Sequence, residues 1–212
     1  MPDDFLFLGA ADAAVTILLA HGAGAPMDSA AMTSVAQTLA DAGFRVARFE
    51  FAYMAARRSG QRRPPPRAET LMPEYLAAVA RLNAAGRLII GGKSMGGRVA
   101  SMVADGLYRE GRIAGLLCLG YPFHPPGDPS KTRTAHLVAL ETPTLICQGT
   151  RDEFGTRAEV AGYRLSPRIK VLWLEDGDHD LKPRKSVSGL TAAEHLGTVA
   201  REVRAWVGDL RN

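Results

Sequence analysis

Two cysteines in 212 residues are too few for a disulfide framework. Cys118 and Cys147 each sit inside an apolar, strand-like run, the setting of buried, reduced thiols in a cytosolic protein. Long hydrophobic runs are missing as well. The run Val15–Ala20 falls far short of the roughly 20 residues that cross a bilayer, and is short for the core of an export signal. Asp3 and Asp4 stand where a basic leader would be. Export and membrane insertion are therefore not expected, and a cytoplasmic protein is. Acidic residues are absent from residues 57–67, which hold Arg57, Arg58, Arg62, Arg63 and Arg67. Set those five aside and 21 basic residues face 22 acidic ones, so the net charge of +4 belongs to one loop. A nucleic-acid partner needs basic charge spread over a face, and none is expected.

What is present is ordinary for a globular chain: 46% hydrophobic and 23% charged residues in 22.7 kDa. That is enough for one full core, and no linker or internal repeat interrupts it, so residues 1–212 read as one domain. The strongest local signal is residues 87–98, RLIIGGKSMGGR. Leu88-Ile89-Ile90 reads as a buried strand, and Arg98 to Ala104 is competent for helix. Between them Gly92-Lys93-Ser94-Met95-Gly96 fits G-x-S-x-G, the nucleophile elbow of the α/β-hydrolase fold. A serine on so sharp a strand-to-helix turn needs tiny residues two before and two after it, and Gly92 and Gly96 meet that demand. The positive end of the following helix then lies beneath the hydroxyl. Gly92-Lys93-Ser94 also resembles the end of a phosphate loop, but that pattern requires glycine at position 87, which is arginine. A nucleotide site is rejected on that register.

Strand-like and helix-like segments alternate along the chain. Residues 5–9 suit a short edge strand, Val15–Ala20 a buried one, and residues 44–51 another. Asp28 or Ser29 can cap a helix with Met32, Val35 and Leu39 on its apolar side. Residues 57–67, with Pro64-Pro65-Pro66, read as a loop, and Thr70 as the cap of a helix bearing Leu71, Tyr75, Leu76, Val79 and Leu82. Later strands fall at residues 113–119, 144–147 and 169–174, and Thr191-Ala192-Ala193-Glu194 is a capping box opening the last helix. The pattern predicts a mostly parallel sheet with helices on both faces and no cap domain. In such sheets chemistry gathers beyond the carboxyl ends of the strands.

That rule sorts the candidates. A serine hydroxyl needs a base to take its proton and an acid to orient the base. In this fold the order is Ser, Asp/Glu, His, each after a strand. The chain supplies Ser94, then Asp152 behind the 144–147 strand, then His179 behind the last one. His21 precedes the serine, His136 and His195 lie in helix-like runs, and His124 in a proline-rich loop. Asp152 is preferred to Glu153 because it falls first after the strand. Asp176, Asp178 and Asp180 crowd the histidine in sequence and read as loop or solvent residues. For the oxyanion, one donor in this fold is the amide after the nucleophile, here Met95. The other comes from an HGGG-like turn, which His21-Gly22-Ala23-Gly24 matches, pointing to Ala23 with Gly22 or Gly24 beside it.

His21-Gly22-Ala23-Gly24-Ala25-Pro26-Met27, Gly91 to Arg98, Gly120-Tyr121-Pro122-Phe123-His124, Gly149-Thr150-Arg151-Asp152 and Gly177-Asp178-His179 stand in order over nearly the whole chain. Together they resemble the small, cap-less α/β-hydrolases grouped near dienelactone hydrolase, a group also similar to a testis-expressed protein and to a subunit of a histone-acetyltransferase complex. The resemblance implies a single α/β-hydrolase domain and the triad Ser94, Asp152, His179. Dienelactone hydrolases proper have a cysteine nucleophile where this chain has Ser94, so lactone specificity does not carry over.

The expected activity is hydrolysis of a small carboxylic ester or thioester through an acyl-enzyme, with no cofactor and no metal. An acyltransferase, a peptidase, or a non-catalytic interaction module on the same fold stays open, and so does the oligomeric state. The pocket should be open. Tyr121 and Phe123 are candidates for an apolar acyl wall or for a plug at the end of the sheet, and the arginines of residues 57–67 for a grip on an acidic substrate or for a solvated loop.

Overall fold

The computed structural model describes residues 5–61 and 64–210. Among these, the strands are β1 (Leu6–Leu8), β2 (Val15–Ala20), β3 (Arg45–Phe49), β4 (Arg87–Lys93), β5 (Gly115–Leu119), β6 (Thr144–Gly149) and β7 (Ile169–Leu174). The helices are α1 (Ala30–Asp41), α2 (Ala52–Arg58), α3 (Met72–Leu82), α4 (Met95–Arg109), α5 (Arg157–Val160), α6 (Lys185–Ser188) and α7 (Ala192–Asp209). The strands form one sheet in the order β1-β3-β2-β4-β5-β6-β7, parallel throughout except for β1, which pairs antiparallel with β3 at the edge.

Both faces are covered, which is why the central strands read as unbroken apolar runs rather than alternating ones. In β2, Leu18 and Ala20 pack with Tyr75, Val79 and Val103 of α3 and α4, while Ile17 and Leu19 pack with Met32, Leu39, Val203 and Trp206 of α1 and α7. Ser29 caps α1, its Oγ accepting from the Met32 amide, and Thr191 with Glu194 closes the capping box that opens α7.

Three local expectations fail. The strand expected over residues 44–51 stops at Phe49, and a helix, α2, begins at Ala52 and takes Arg57 and Arg58 out of the expected loop. Its short stretch of Ala, Met and Tyr offers too little periodicity to separate helix from strand end. Arg62 and Arg63 lie outside the described residues. Thr70 does not cap α3. It sits inside a 3-10 turn, Ala68–Leu71, and its hydroxyl bonds back to the Arg67 carbonyl, so Pro73 falls in the first turn of a helix starting at Met72.

The centre of the sheet is tied by one buried phenol. The Tyr75 hydroxyl donates to the Gly91 carbonyl (2.7 Å) and accepts from the Gly91 amide (2.9 Å), fixing α3 onto β4. Gly91 admits no side chain, because a Cβ there would run into the Leu117 carbonyl of β5. Gly106, in mid-α4, has nothing within 4 Å of a Cβ. Gly91→Ala should therefore cost about 3 kcal/mol or more, whereas Gly106→Ala should gain up to about 1 kcal/mol. Denaturant melts of the two variants check this; equal effects would refute the packing described for β4.

Candidate active site

The turn from β4 into α4 puts Ser94 at φ 51°, ψ −118°, a left-handed conformation rare outside glycine. The neighbours explain how it is held. A Cβ on Gly92 would lie 2.5 Å from the Ala20 carbonyl and 2.7 Å from the Gly96 backbone. One on Gly96 would lie 2.5 Å from the same carbonyl and 2.6 Å from that of His21. The end of β2 and the start of α4 thus approach each other across bare backbone, and the serine side chain is thrust outward.

Ser94, Asp152 and His179 meet at the carboxyl ends of β4, β6 and β7. His179 Nε2 is 2.8 Å from Ser94 Oγ, and its Nδ1 is 2.9 and 3.0 Å from the two oxygens of Asp152. An ionised carboxylate only accepts, so Nδ1 carries the proton toward Asp152 and Nε2 is left to accept from the serine hydroxyl. Asp152 is 0% exposed, and its oxygens also take the Phe154 amide (2.9 Å) and Gln148 Nε2 (2.8 Å). The Phe154 ring lies on the imidazole, centroids 4.1 Å apart. Glu153, the alternative acid, is not bonded to His179; it lines a shallow groove on the outer side of the histidine loop.

The two residues expected to supply the oxyanion amides line the cleft at the serine. Met95 is the first residue of α4, so its amide has no acceptor within the helix. Ala23 and Met95 both line the cleft in front of Ser94, and the Gly22 backbone packs beside the serine Cβ. His21 holds this turn in place. Its Nδ1 donates to the Gly22 carbonyl (2.6 Å) and its Nε2 accepts from the Phe51 amide (3.1 Å), while the Tyr53 hydroxyl donates to the Ala23 carbonyl (3.1 Å). Burial pushes the His21 pKa below its ordinary value, and the bond that Nε2 accepts from the Phe51 amide requires the neutral ring.

Several supporting residues gave no sequence signal. Gln148 spans two strand ends: besides gripping Asp152 it accepts the Tyr121 amide (2.7 Å) and donates to the Tyr121 and Gly155 carbonyls. Lys93 occupies a position the G-x-S-x-G pattern leaves unspecified. Its Nζ donates to the His179 carbonyl (2.6 Å) and pairs with Asp180 (3.4 Å), so the elbow holds the histidine loop directly. Burial lowers the Lys93 pKa, and Asp180 and Asp152 oppose that shift.

Two expectations need correcting. Tyr121 and Phe123 form no acyl wall. Both are 0% exposed; Tyr121 bonds the Arg133 carbonyl and Phe123 packs on Tyr121 and Tyr163. Between them Pro122 reaches the cleft instead, as residues of an extended loop segment turn to alternate sides. The aspartates around His179, read as loop or solvent residues, do lie in the loop after β7, but they are not merely solvated. Asp176 is buried against Arg184 and Arg151, and Arg184 holds its carboxyl down at about 2. Asp178 accepts the Asp180 and Lys182 amides. These bonds shape the loop that presents the imidazole.

A second serine–histidine contact lies nearby, Ser101 Oγ to His136 Nε2 at 2.8 Å. Ser101 is 2% exposed in mid-helix, its hydroxyl bonds the Arg98 carbonyl (2.7 Å), and no carboxylate hydrogen-bonds His136 among the described residues. It is a packing network rather than a reactive pair. An apolar cavity of about 180 Å³ between α1 and α7 lies behind Lys93 and contains none of Ser94, Asp152 and His179. Among the described residues, no group of three or more His, Cys, Asp and Glu could hold a metal ion, and no helix is long and apolar enough to cross a membrane.

A doubly covered parallel sheet with a glycine-walled serine at the central strand's end, meeting a histidine and an aspartate from later strands, defines an α/β hydrolase. The chain belongs to the alpha/beta hydrolase domain family, whose model matches residues 13–208. It is similar to a lidless α/β serine hydrolase from Xanthomonas campestris (19% identity, TM-score 0.72, covering 95% of this chain and 88% of that one). It is also similar to a dienelactone hydrolase from Anabaena variabilis (20%, 0.70, 98% and 92%) and to Est1E from Butyrivibrio proteoclasticus with bound ferulic acid (16%, 0.68, 97% and 94%). At these identities the likeness is one of fold.

Two outcomes test the site's scaffolding. Gln148→Leu strips the Tyr121 amide and Asp152 of buried partners and should destabilise by about 1–3 kcal/mol in a denaturant melt; an unchanged midpoint would deny Gln148 this role. Because His21 is held neutral, the unfolded chain takes up a proton near its ordinary 6.5 that the folded one refuses. Its contribution is whole above that pH and fades as pH falls. The Tm of His21→Gln, which keeps a donor and an acceptor, should thus drop less than that of the wild type between about pH 7 and about pH 5.

Proposed function

We propose that the protein is a serine hydrolase that cleaves a small carboxylic ester or thioester through an acyl-enzyme, with Ser94 as nucleophile, His179 as base and Asp152 as the acid that orients it. The observation that supports this reading most strongly is the unbroken relay from the serine hydroxyl through both nitrogens of His179 to Asp152. His179 Nε2 takes the Ser94 proton as Oγ attacks the carbonyl carbon. The developing oxyanion is received by the amides of Met95 and Ala23, each such donor being worth about 3–4 kcal/mol. Asp152 accepts from Nδ1 and stabilises the imidazolium. The proton then passes to the leaving alcohol or thiol, and water repeats the sequence on the acyl-enzyme to release the acid.

Access is direct. The cleft, about 340 Å³, opens at Ser94 between Ala23, Pro122, Phe154 and the residues around the 3-10 turn, which suits a small substrate. Ester bonds as the target are supported by the serine chemistry, and a cytoplasmic site of action, proposed with it, by the chain's composition.

A fluorophosphonate probe should label the wild type and leave Ser94→Ala unlabelled; labelling that survives the substitution removes Ser94 as nucleophile. On a short aryl ester, Ser94→Ala should lower kcat by about 10⁴-fold or more, and Asp152→Asn by about 10⁴-fold through loss of the productive tautomer. Steady-state assays read both, and an Asp152→Asn enzyme as fast as the wild type would shift the acid's role to another carboxylate.

A further inference from the structure

The cleft in front of Ser94 holds more positive charge than the fold employs. Its lining brings together Arg67, Arg98 and Arg133 against a single carboxylate, Glu69. They come from three separate places: Arg67 precedes the 3-10 turn, Arg98 stands one turn into α4, and Arg133 lies in the loop beyond β5. Glu69 binds one end of the Arg98 guanidinium, yet Arg98 Nε is buried without a partner and the side chain is only 20% exposed. Arg133 is half-buried and makes no side-chain hydrogen bond or ion pair among the described residues. Burial and the facing Arg98 hold its pKa below the ordinary value, with Tyr121 and Glu69 opposing.

Like charges held together and partly out of water work against folding unless something of opposite sign sits between them. Arg58, Arg109 and Arg184 show the alternative, each gripping a carboxylate of the chain itself. In the cleft, three guanidiniums against one carboxylate leave an excess of two positive charges within reach of the nucleophile. Arg98 is four residues past Ser94, on the order of 6 Å along the helix axis, so an anion bound there stands a few bonds from a carbonyl on Oγ.

We infer that this arginine cluster selects the substrate: the preferred ester or thioester carries a carboxylate or phosphate a few bonds from the scissile carbonyl, taken by Arg133 and Arg98 with Arg67 at the mouth. The inference rests on Ser94 being the nucleophile. A guanidinium fork matches both anions by paired hydrogen bonds, which is why the shared chemistry is an oxyanion rather than one particular group. The arginine-rich loop itself contributes little to the cluster: of the described arginines in residues 57–67, Arg58 is committed to Asp28 and Glu50, and only Arg67 lines the cleft.

The test compares kcat/KM for phenyl butyrate, monophenyl glutarate and phenyl 4-phosphonooxybutyrate. The wild type should favour at least one anionic ester by roughly ten-fold or more, and the favoured one tells carboxylate from phosphate. The preference should shrink with added salt and collapse in Arg133→Gln, while exposed Arg164→Gln keeps it. Turnover of the neutral ester as fast as both anionic ones, with Ser94 labelled by a fluorophosphonate, overturns the inference and leaves the hydrolase reading standing. If Ser94 is neither labelled nor needed for turnover, the hydrolase reading falls. Calorimetric titration of Ser94→Ala with glutarate and with inorganic phosphate then decides the cluster by itself. Binding that weakens at least ten-fold when Arg133→Gln is added supports an anion site, and no binding of either removes it.

Discussion

Everything at this site depends on one close approach of backbone to backbone. Ser94 is held at a positive φ that costs on the order of 1–3 kcal/mol, and the end of β2 presses against the glycines on either side of it. The same approach sets the separation of β2 from α4. It thereby brings the turn carrying Ala23 and the start of α4 to one cleft, so Ser94 and the residues beside it are positioned by a single constraint. The phenol of Tyr75, bonded to both polar groups of Gly91, holds β4 in the register this requires.

The other half of the relay is anchored to the first. Lys93, next to the serine, takes the backbone carbonyl of His179, so the loop after β7 is tied to the strand that leads into Ser94. Gln148 does the corresponding task for Asp152, and the Arg184–Asp176 and Asp178 contacts stiffen the histidine loop from outside. A geometry that must be held within a few tenths of an ångström is thus secured by buried polar bonds, each of which leaves an unsatisfied group when cut.

Ser94, Asp152 and His179 were legible because such a constellation is tied to topology: G-x-S-x-G marks a turn only small residues permit, and in this fold an acid and a base follow later strands in a fixed order. The central strands were legible because burial on both faces makes them continuous apolar runs. What stayed hidden has a common cause. Gln148 and Lys93 reach Tyr121 and His179, 27 and 86 residues away, the cleft arginines converge from three separate places, and nothing in their local composition separates them from surface polar residues. Tyr121 and Phe123 were misjudged on the wall reading because an aromatic beside the site is as well suited to closing the sheet's end as to facing substrate, and only the direction of the chain there decides. The 3-10 turn at Ala68 defeated the cap assigned to Thr70 for a similar reason, since a hydroxyl that bonds backward looks the same in sequence as one that bonds forward.

Cys118 and Cys147 sit on the adjacent inner strands β5 and β6 but face opposite sides of the sheet, one toward α4 and the other toward α7. No rotation short of tearing β5 from β6 would let the sulfurs join, so oxidation of the native molecule cannot crosslink it internally. Burial also pushes both thiols well above their ordinary pKa, which leaves almost no thiolate to react. Alkylating reagents added from outside therefore meet these sulfurs only when the middle of the sheet opens. The rate of their modification becomes a clock for that opening, one for each side of the molecule.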